Sequence, residues 1–174
     1  SLNIFTGRNG AGKSTILNQM YVGEAIKQGY KCFIFSGELV ASNVKDWLIS
    51  TLANEEDFSI FETNTGLKYK RVNKSNRSFI TDKIKDKIFL YGDEDYNINK
   101  ILLKMEILAK RFGVKVFCID NLMVIEDDEK DEYKIQTSIV KKLKNFAKKY
   151  NCIVHLVAHP RKSQNADVNK DDVA

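Results

Sequence analysis

Proline is nearly absent from this sequence of 174 residues, occurring once, at Pro160, and cysteine occurs only three times. No apolar run approaches the roughly 20 residues that span a bilayer. The first of these scarcities excludes collagen and proline-rich linkers. With 43 % hydrophobic and 10 % aromatic residues, disorder is excluded as well. Cys32, Cys118 and Cys152 are odd in number, far apart and each set in an apolar stretch, so they read as reduced, buried side chains rather than a disulfide scaffold or a metal site. Ser1 to Gly7 lack the charged leader and long apolar block of a secretory signal, and a cytoplasmic protein with no membrane partner is expected.

Charge of one sign is also scarce overall, at a net +5, but it is unevenly spread. Lys68 to Lys87 holds eight basic residues against Asp82 and Asp86, a local +6, and the remainder is close to neutral. Such a stretch suits a polyanion such as nucleic acid; a solvated lysine-rich surface is the other meaning.

Hydrophobic periodicity predicts strands at Leu2 to Thr6, Cys32 to Phe35, Ile88 to Tyr91, Val114 to Ile119 and Ile153 to Ala158. Helices are predicted between them. One runs from Ser14 to Gln28, with Ile16, Leu17, Met20 and Tyr21 as its stripe and Gly29 as its stop; a second, capped by Ser42 or Asn43, runs to about Asn54. Glu55 to Arg77 shows no clear period and reads as loop and short helix, with a weak helix over Phe79 to Lys85. The last two helices are strongly amphipathic. Ile98, Ile101, Leu102, Met105, Leu108, Ala109 and Phe112 mark one, stopped by Gly113; Ile135, Ile139, Leu143, Phe146, Ala147 and Tyr150 mark the other. Alternating apolar strands and helices specify an α/β fold of three layers, a mostly parallel sheet with helices on both faces, in a single domain.

Between the first strand and the first helix stands Gly7-Arg8-Asn9-Gly10-Ala11-Gly12-Lys13-Ser14, which satisfies G-x-x-x-x-G-K-[ST] in the strand–loop–helix context that the mechanism needs. Its glycines let backbone N–H groups turn inward around phosphates, and the helix N-terminus adds partial positive charge. Lys13 can reach the β and γ phosphates of ATP, and Ser14 can ligate Mg2+. In a parallel sheet the partners of such a loop lie at the carboxyl ends of strands. Asp120 ends an apolar strand there and can hold the magnesium shell. Glu38 comes after another and can deprotonate an attacking water or merely start a helix. His159, ahead of Pro160, Arg161 and Lys162, can hydrogen-bond a γ-phosphate and report its loss. His155, four residues inward on the same strand, reads as a core histidine.

The assembly FTGRNGAGKST, SGEL, FCIDNLMVIE and HLVAHPRK resembles the RecA-like ATPase domain of replicative hexameric helicases, the DnaB family, in the flavour of phage primase-helicases and Twinkle. The resemblance spans Leu2 to about Lys162. It implies a P-loop NTPase fold and a nucleotide site at Gly7 to Thr15, with Lys13 and Glu38 in catalysis. It further implies Ser14 and Asp120 as metal-binding residues and His159 as phosphate sensor, with Arg161 and Lys162 opening a loop that contacts single-stranded DNA. The implied partners are single-stranded DNA, further copies of the chain in a hexameric ring, and a fused or associated primase. Family members continue past the DNA-contacting loop and there supply an arginine finger, so this chain is expected to be part of a longer, C-terminally truncated domain. A recombinase- or KaiC-type ATPase that does not unwind DNA and a P-loop kinase are alternatives. The five scattered arginines argue against the arginine-rich lid of the kinase.

Overall fold

The computed structural model describes residues 1–8, 11–92, 94–129 and 131–159. Five parallel strands form its main sheet: β1 (Leu2–Thr6), β2 (Cys32–Ser36), β5 (Ile88–Leu90), β6 (Val116–Asp120) and β7 (Ile153–Ala158), in the order β1-β7-β6-β2-β5. Two further strands, β3 (Phe58–Glu62) and β4 (Lys68–Val72), pair antiparallel as a separate hairpin. The helices are α1 (residues 13–27), α2 (Ala41–Leu52), α3 (Lys74–Ile84), α4 (Ile98–Phe112) and α5 (Glu132–Lys149). A parallel sheet between two helical layers is the α/β architecture expected from the sequence.

Strand periodicity divides the core in two. Phe33 and Phe35 of β2, Phe117 and Ile119 of β6 and Val154 and Leu156 of β7 face α4 and α5, meeting Ile98, Ile101, Met105, Ile139 and Leu143. Their alternates, Cys32, Ile34, Val116, Cys118 and Val157, face α1, α2 and α3 through Leu17, Val22, Leu48, Ile49 and Ile80. Side chains of consecutive strand residues point to opposite faces, so strands apolar at every position require a helical layer on each side. Burying each large aliphatic or aromatic side chain contributes about 1.5–3 kcal/mol. The three cysteines lie in these layers, free and buried. Burial pushes the Cys32 thiol up to about 12, far from the thiolate range of a reactive cysteine.

Gly29 and Gly113 end α1 and α4 in the left-handed region, at φ 87° and 69°. Three expectations need correction. Of the stripe expected for α1, Leu17 is buried and Tyr21 packs against the core, but Ile16 and Met20 are exposed, and Val22, Ala25 and Ile26 complete the buried apolar face. The cause is a π-helical segment at Leu17–Gly23, whose wider turn puts residues five apart on one face. Helix α2 is capped neither by Ser42 nor by Asn43, which lie inside it; Val40 stands at the cap position with no side-chain hydrogen bond. The stretch 55–77 does hold short helix, a 3-10 turn at Glu55–Asp57 and the start of α3, which Asn73 caps by accepting from the Asn76 N–H at 2.9 Å, but where loop was expected between them stands the β3–β4 hairpin.

His155 is buried against the rings of Phe5 and Tyr21, at centroid distances of 5.6 and 4.4 Å. Burial, with the positive terminal amine of Ser1 adding to it, lowers its pKa from 6.5 to about 4. The unfolded chain therefore binds a proton that the folded chain refuses. Stability from this residue is complete above pH 6.5 and is lost as pH falls towards 4, by about 2–3 kcal/mol at pH 4.5. Urea unfolding at pH 7 and 4.5 should show this loss in the unaltered chain and a shallower one in His155→Phe. Equal losses in the two would place the acid sensitivity elsewhere.

Candidate functional site

Because β1, β7, β6 and β2 are parallel, adjacent and in register at their ends, their carboxyl termini open on one place. Thr6 pairs with Ala158, Asp120 with Val157, and Ser36 with Asp120. Four chain segments are thereby brought together: the glycine-rich loop after β1, His159 after β7, Asp120 at the end of β6 and Glu38 after β2. A cleft of about 690 Å3 lies there, lined by Gly12, Lys13, Ser14, Thr15, Glu38, Asn121, Met123, Val124 and His159.

Gly12 adopts φ 78° immediately ahead of α1, a conformation that a side chain would strain, and it turns the loop into the helix. Lys13 folds back over the loop, donating from Nζ to the carbonyl oxygens of Gly7 and Arg8 at 2.7 and 2.9 Å. Of its three N–H donors two are so engaged, and the third can meet an anion. Asn9 and Gly10 lie outside the described residues, as do Arg161 and Lys162.

Asp120 is buried, and burial raises its pKa; a hydrogen bond from Ser14 works in the opposite direction, and the neighbouring Glu38 carboxylate adds to the rise. Its Oδ1 atom is buried without a hydrogen-bond partner. Glu38 is more open, its side chain 60 % exposed. Its Oε1 accepts from Asn121 Nδ2 at 2.8 Å and stands 3.5 Å from His159 Nε2. The predicted site residues among those described thus line or border one cleft. His155 lies apart from it, within the sheet.

The sequence matches the family model described as AAA domain over residues 1–165. The chain belongs to the AAA domain family. No curated protein matches it by sequence. Among solved structures, the AAA domain is similar to a DnaB-like replicative helicase described with its interactions with primase, with TM-score 0.72 and 15 % identity, covering 98 % of this chain and 43 % of that one. A second solved ATPase domain is similar with TM-score 0.73 and 17 % identity, over 98 % of this chain and 62 % of that one. A KaiC-like protein of the hyperthermophilic archaeon Pyrococcus horikoshii is similar with TM-score 0.63 and 15 % identity, over 99 % of this chain and 65 % of the other. The chain therefore spans less than two thirds of each of these proteins. At such identities the likeness establishes the fold. Together with the family match, it makes the molecule a P-loop ATPase domain whose fold is that of DnaB-type motors.

The donor set fits the magnesium ion that usually accompanies such a site. Asp120 offers a buried carboxylate oxygen with no partner, beside the Ser14 hydroxyl. Among the described residues no cluster of three or more His, Cys, Asp or Glu side chains forms a metal cage. Two protein oxygens completed by water and phosphate are what a small, hard, strongly hydrated cation takes. Among the described residues no helix is long and apolar enough to cross a membrane.

Two neighbours of the site were not singled out in the sequence. Asn121 is buried; its amide nitrogen donates to Glu38 and its Oδ1 accepts from the Met123 N–H at 3.0 Å. Gly37 donates its N–H to the Asp120 carbonyl at 2.7 Å, and a Cβ built on it would come within 2.1 Å of Val124 Cγ2. A signal existed for both, since each adjoins a predicted site residue at a strand end. Their partners, however, come from the segment that follows a different strand: Glu38 after β2 for Asn121, and Val124 after β6 for Gly37. Gly37→Ala should cost about 1–3 kcal/mol of stability through this overlap. Val124→Ala in the same chain should recover part of it, as read from urea midpoints. An unchanged midpoint in Gly37→Ala would show that the loop yields freely.

Proposed function

We propose that the chain is the motor domain of a replicative DNA helicase, converting ATP hydrolysis into movement along single-stranded DNA. The observation that carries this reading is the meeting of Lys13, Ser14, Glu38, Asp120 and His159 at the ends of four adjacent parallel strands. Likeness in fold to a DnaB-like replicative helicase supports the choice of motor.

In this reading the loop from Gly7 to Thr15 binds the triphosphate, with backbone N–H groups and the start of α1 facing it and Lys13 leaving its two carbonyls for the terminal phosphates. Ser14 and Asp120 would hold the magnesium ion, which would supply neutralisation of the phosphate charge. Glu38 orients the attacking water and takes its proton, its carboxylate steadied by Asn121. His159, between Glu38 and the end of β7, touches the γ-phosphate and passes its departure to Arg161 and Lys162, which contact the DNA. Phosphoryl transfer leaves the protein little covalent work, so these residues act by position and charge. An arginine finger from a neighbouring copy in a hexameric ring completes the site, and a primase is the associated enzyme at a cytoplasmic replication fork.

The test is strand separation on a forked duplex by the native protein, beside its ATPase rate with and without single-stranded DNA. ATP-dependent separation and a DNA-stimulated ATPase are expected, both reduced in Arg161→Ala with Lys162→Ala. Hydrolysis with no separation would move the reading to an ATPase of the KaiC-like kind.

A further inference from the structure

The β3–β4 hairpin plays no part in the nucleotide site. Its root is anchored: Val72 is buried and Phe58 packs beside it in the layer of α2 and α3. Its tip turns through Gly66 at φ 81°, with the Thr63 N–H donating to the Leu67 carbonyl at 2.9 Å. Phe58 pairs with Val72, so the strand period puts Phe61, Tyr69 and Arg71 on the opposite, outward face. There Phe61 and Tyr69 sit directly across from each other, their rings stacked at 5.8 Å and 24° and left 41 % and 43 % exposed.

Arg71 shares that face; Lys68 and Lys70 stand exposed on the same strand but, by its alternation, on the reverse face with Ile60 and Glu62. Among the described residues none of the three forms an ion pair, although Glu62 lies across from Lys68. They open the basic stretch from Lys68 to Lys87. The cross-strand ring pair helps to brace the hairpin, but bracing it does not call for unpaired cations on both faces of a hairpin anchored to the core only at its root.

We propose that this hairpin binds single-stranded DNA along its exposed β4 edge, bases stacking on Phe61 and Tyr69 of the outward face and phosphates meeting Arg71 on that face and Lys68 and Lys70 from the reverse face of the same strand. The choice of DNA rests on the proposed motor function; the site is additional to Arg161 and Lys162. Charge complementarity selects a polyanion, and the paired rings select one whose bases are unstacked. A duplex hides its base faces, and an acidic peptide offers nothing to stack.

Fluorescence anisotropy of labelled dT20 on the chain tests this. Phe61→Ala with Tyr69→Ala should weaken binding about ten-fold or more at fixed salt. Replacing Lys68, Lys70 and Arg71 by Gln should lower the slope of log affinity against log salt by about 0.7 for each phosphate no longer neutralised, roughly 2 in all. The rings lie outside the core, so both variants should unfold at the urea midpoint of the unaltered chain. If the unaltered chain binds dT20 and both variants bind equally well, the hairpin assignment falls while the motor reading stands. If the unaltered chain binds no dT20, DNA as partner of this domain falls, and the hairpin assignment with it. If the variants keep DNA binding but lose self-association in sedimentation, the face is a contact between copies, and the proposal is overturned.

Discussion

Glu38→Gln should leave nucleotide binding intact and reduce hydrolysis by about 10²–10⁴-fold, the range for loss of a positioned general base. Gln keeps the shape of Glu and still offers a carbonyl oxygen to Asn121, which reaches the present carboxylate at 2.8 Å. The site geometry is therefore preserved while the proton acceptor is lost. Removing a negative charge near bound phosphates leaves affinity equal or improved. Single-turnover hydrolysis, measured beside the Kd of a fluorescent ATP analogue, separates the two effects. A variant that hydrolyses at the original rate would show that the proton goes elsewhere. One that fails to bind would make Glu38 structural, a role its exposed side chain does not suit.

Most of this site could be read from the sequence because its parts are local. Strand, glycine-rich loop and helix succeed one another within the first 28 residues. Glu38, Asp120 and His159 each come at or just past the end of an apolar strand, where a parallel sheet collects its chemistry. The same holds for α4 and α5, whose stripes stay in phase for 15 and 18 residues.

Features settled by distant partners were not legible. Gly37 is shaped by Val124 and Asn121 is tied to Glu38, contacts made only once β2 and β6 are side by side. The hairpin escaped because only its Phe58–Val72 end is anchored in the core. With exposed lysines on one strand and aromatic rings in solvent, it carries no alternation of inside and outside. The π-helical turn of α1 escaped for a different reason: a stripe read with a period of 3.6 holds only for regular helix.

Lys13→Ala should weaken ATP binding by about 100-fold or more, since the ammonium supplies two or more charge-assisted hydrogen bonds at roughly 1.5–3 kcal/mol each. The Lys13 ammonium donates to the carbonyls of Gly7 and Arg8 at 2.7 and 2.9 Å, so the amine is already held against the loop proposed to cradle the phosphates. Binding then exchanges partners instead of ordering a free side chain, and little entropy is lost. Lys13→Met keeps most of the length without the charge and should fail nearly as badly. Lys13→Arg keeps the charge but spreads it over a planar fork too wide for the same two carbonyls, and should recover only part of the affinity. Calorimetric titration with ATP at fixed magnesium ranks the three. Because Lys13 touches the loop and not the core, their unfolding midpoints without nucleotide should stay together. A Met variant that binds like the unaltered chain would mean that backbone N–H groups and the start of α1 hold the phosphates without the lysine.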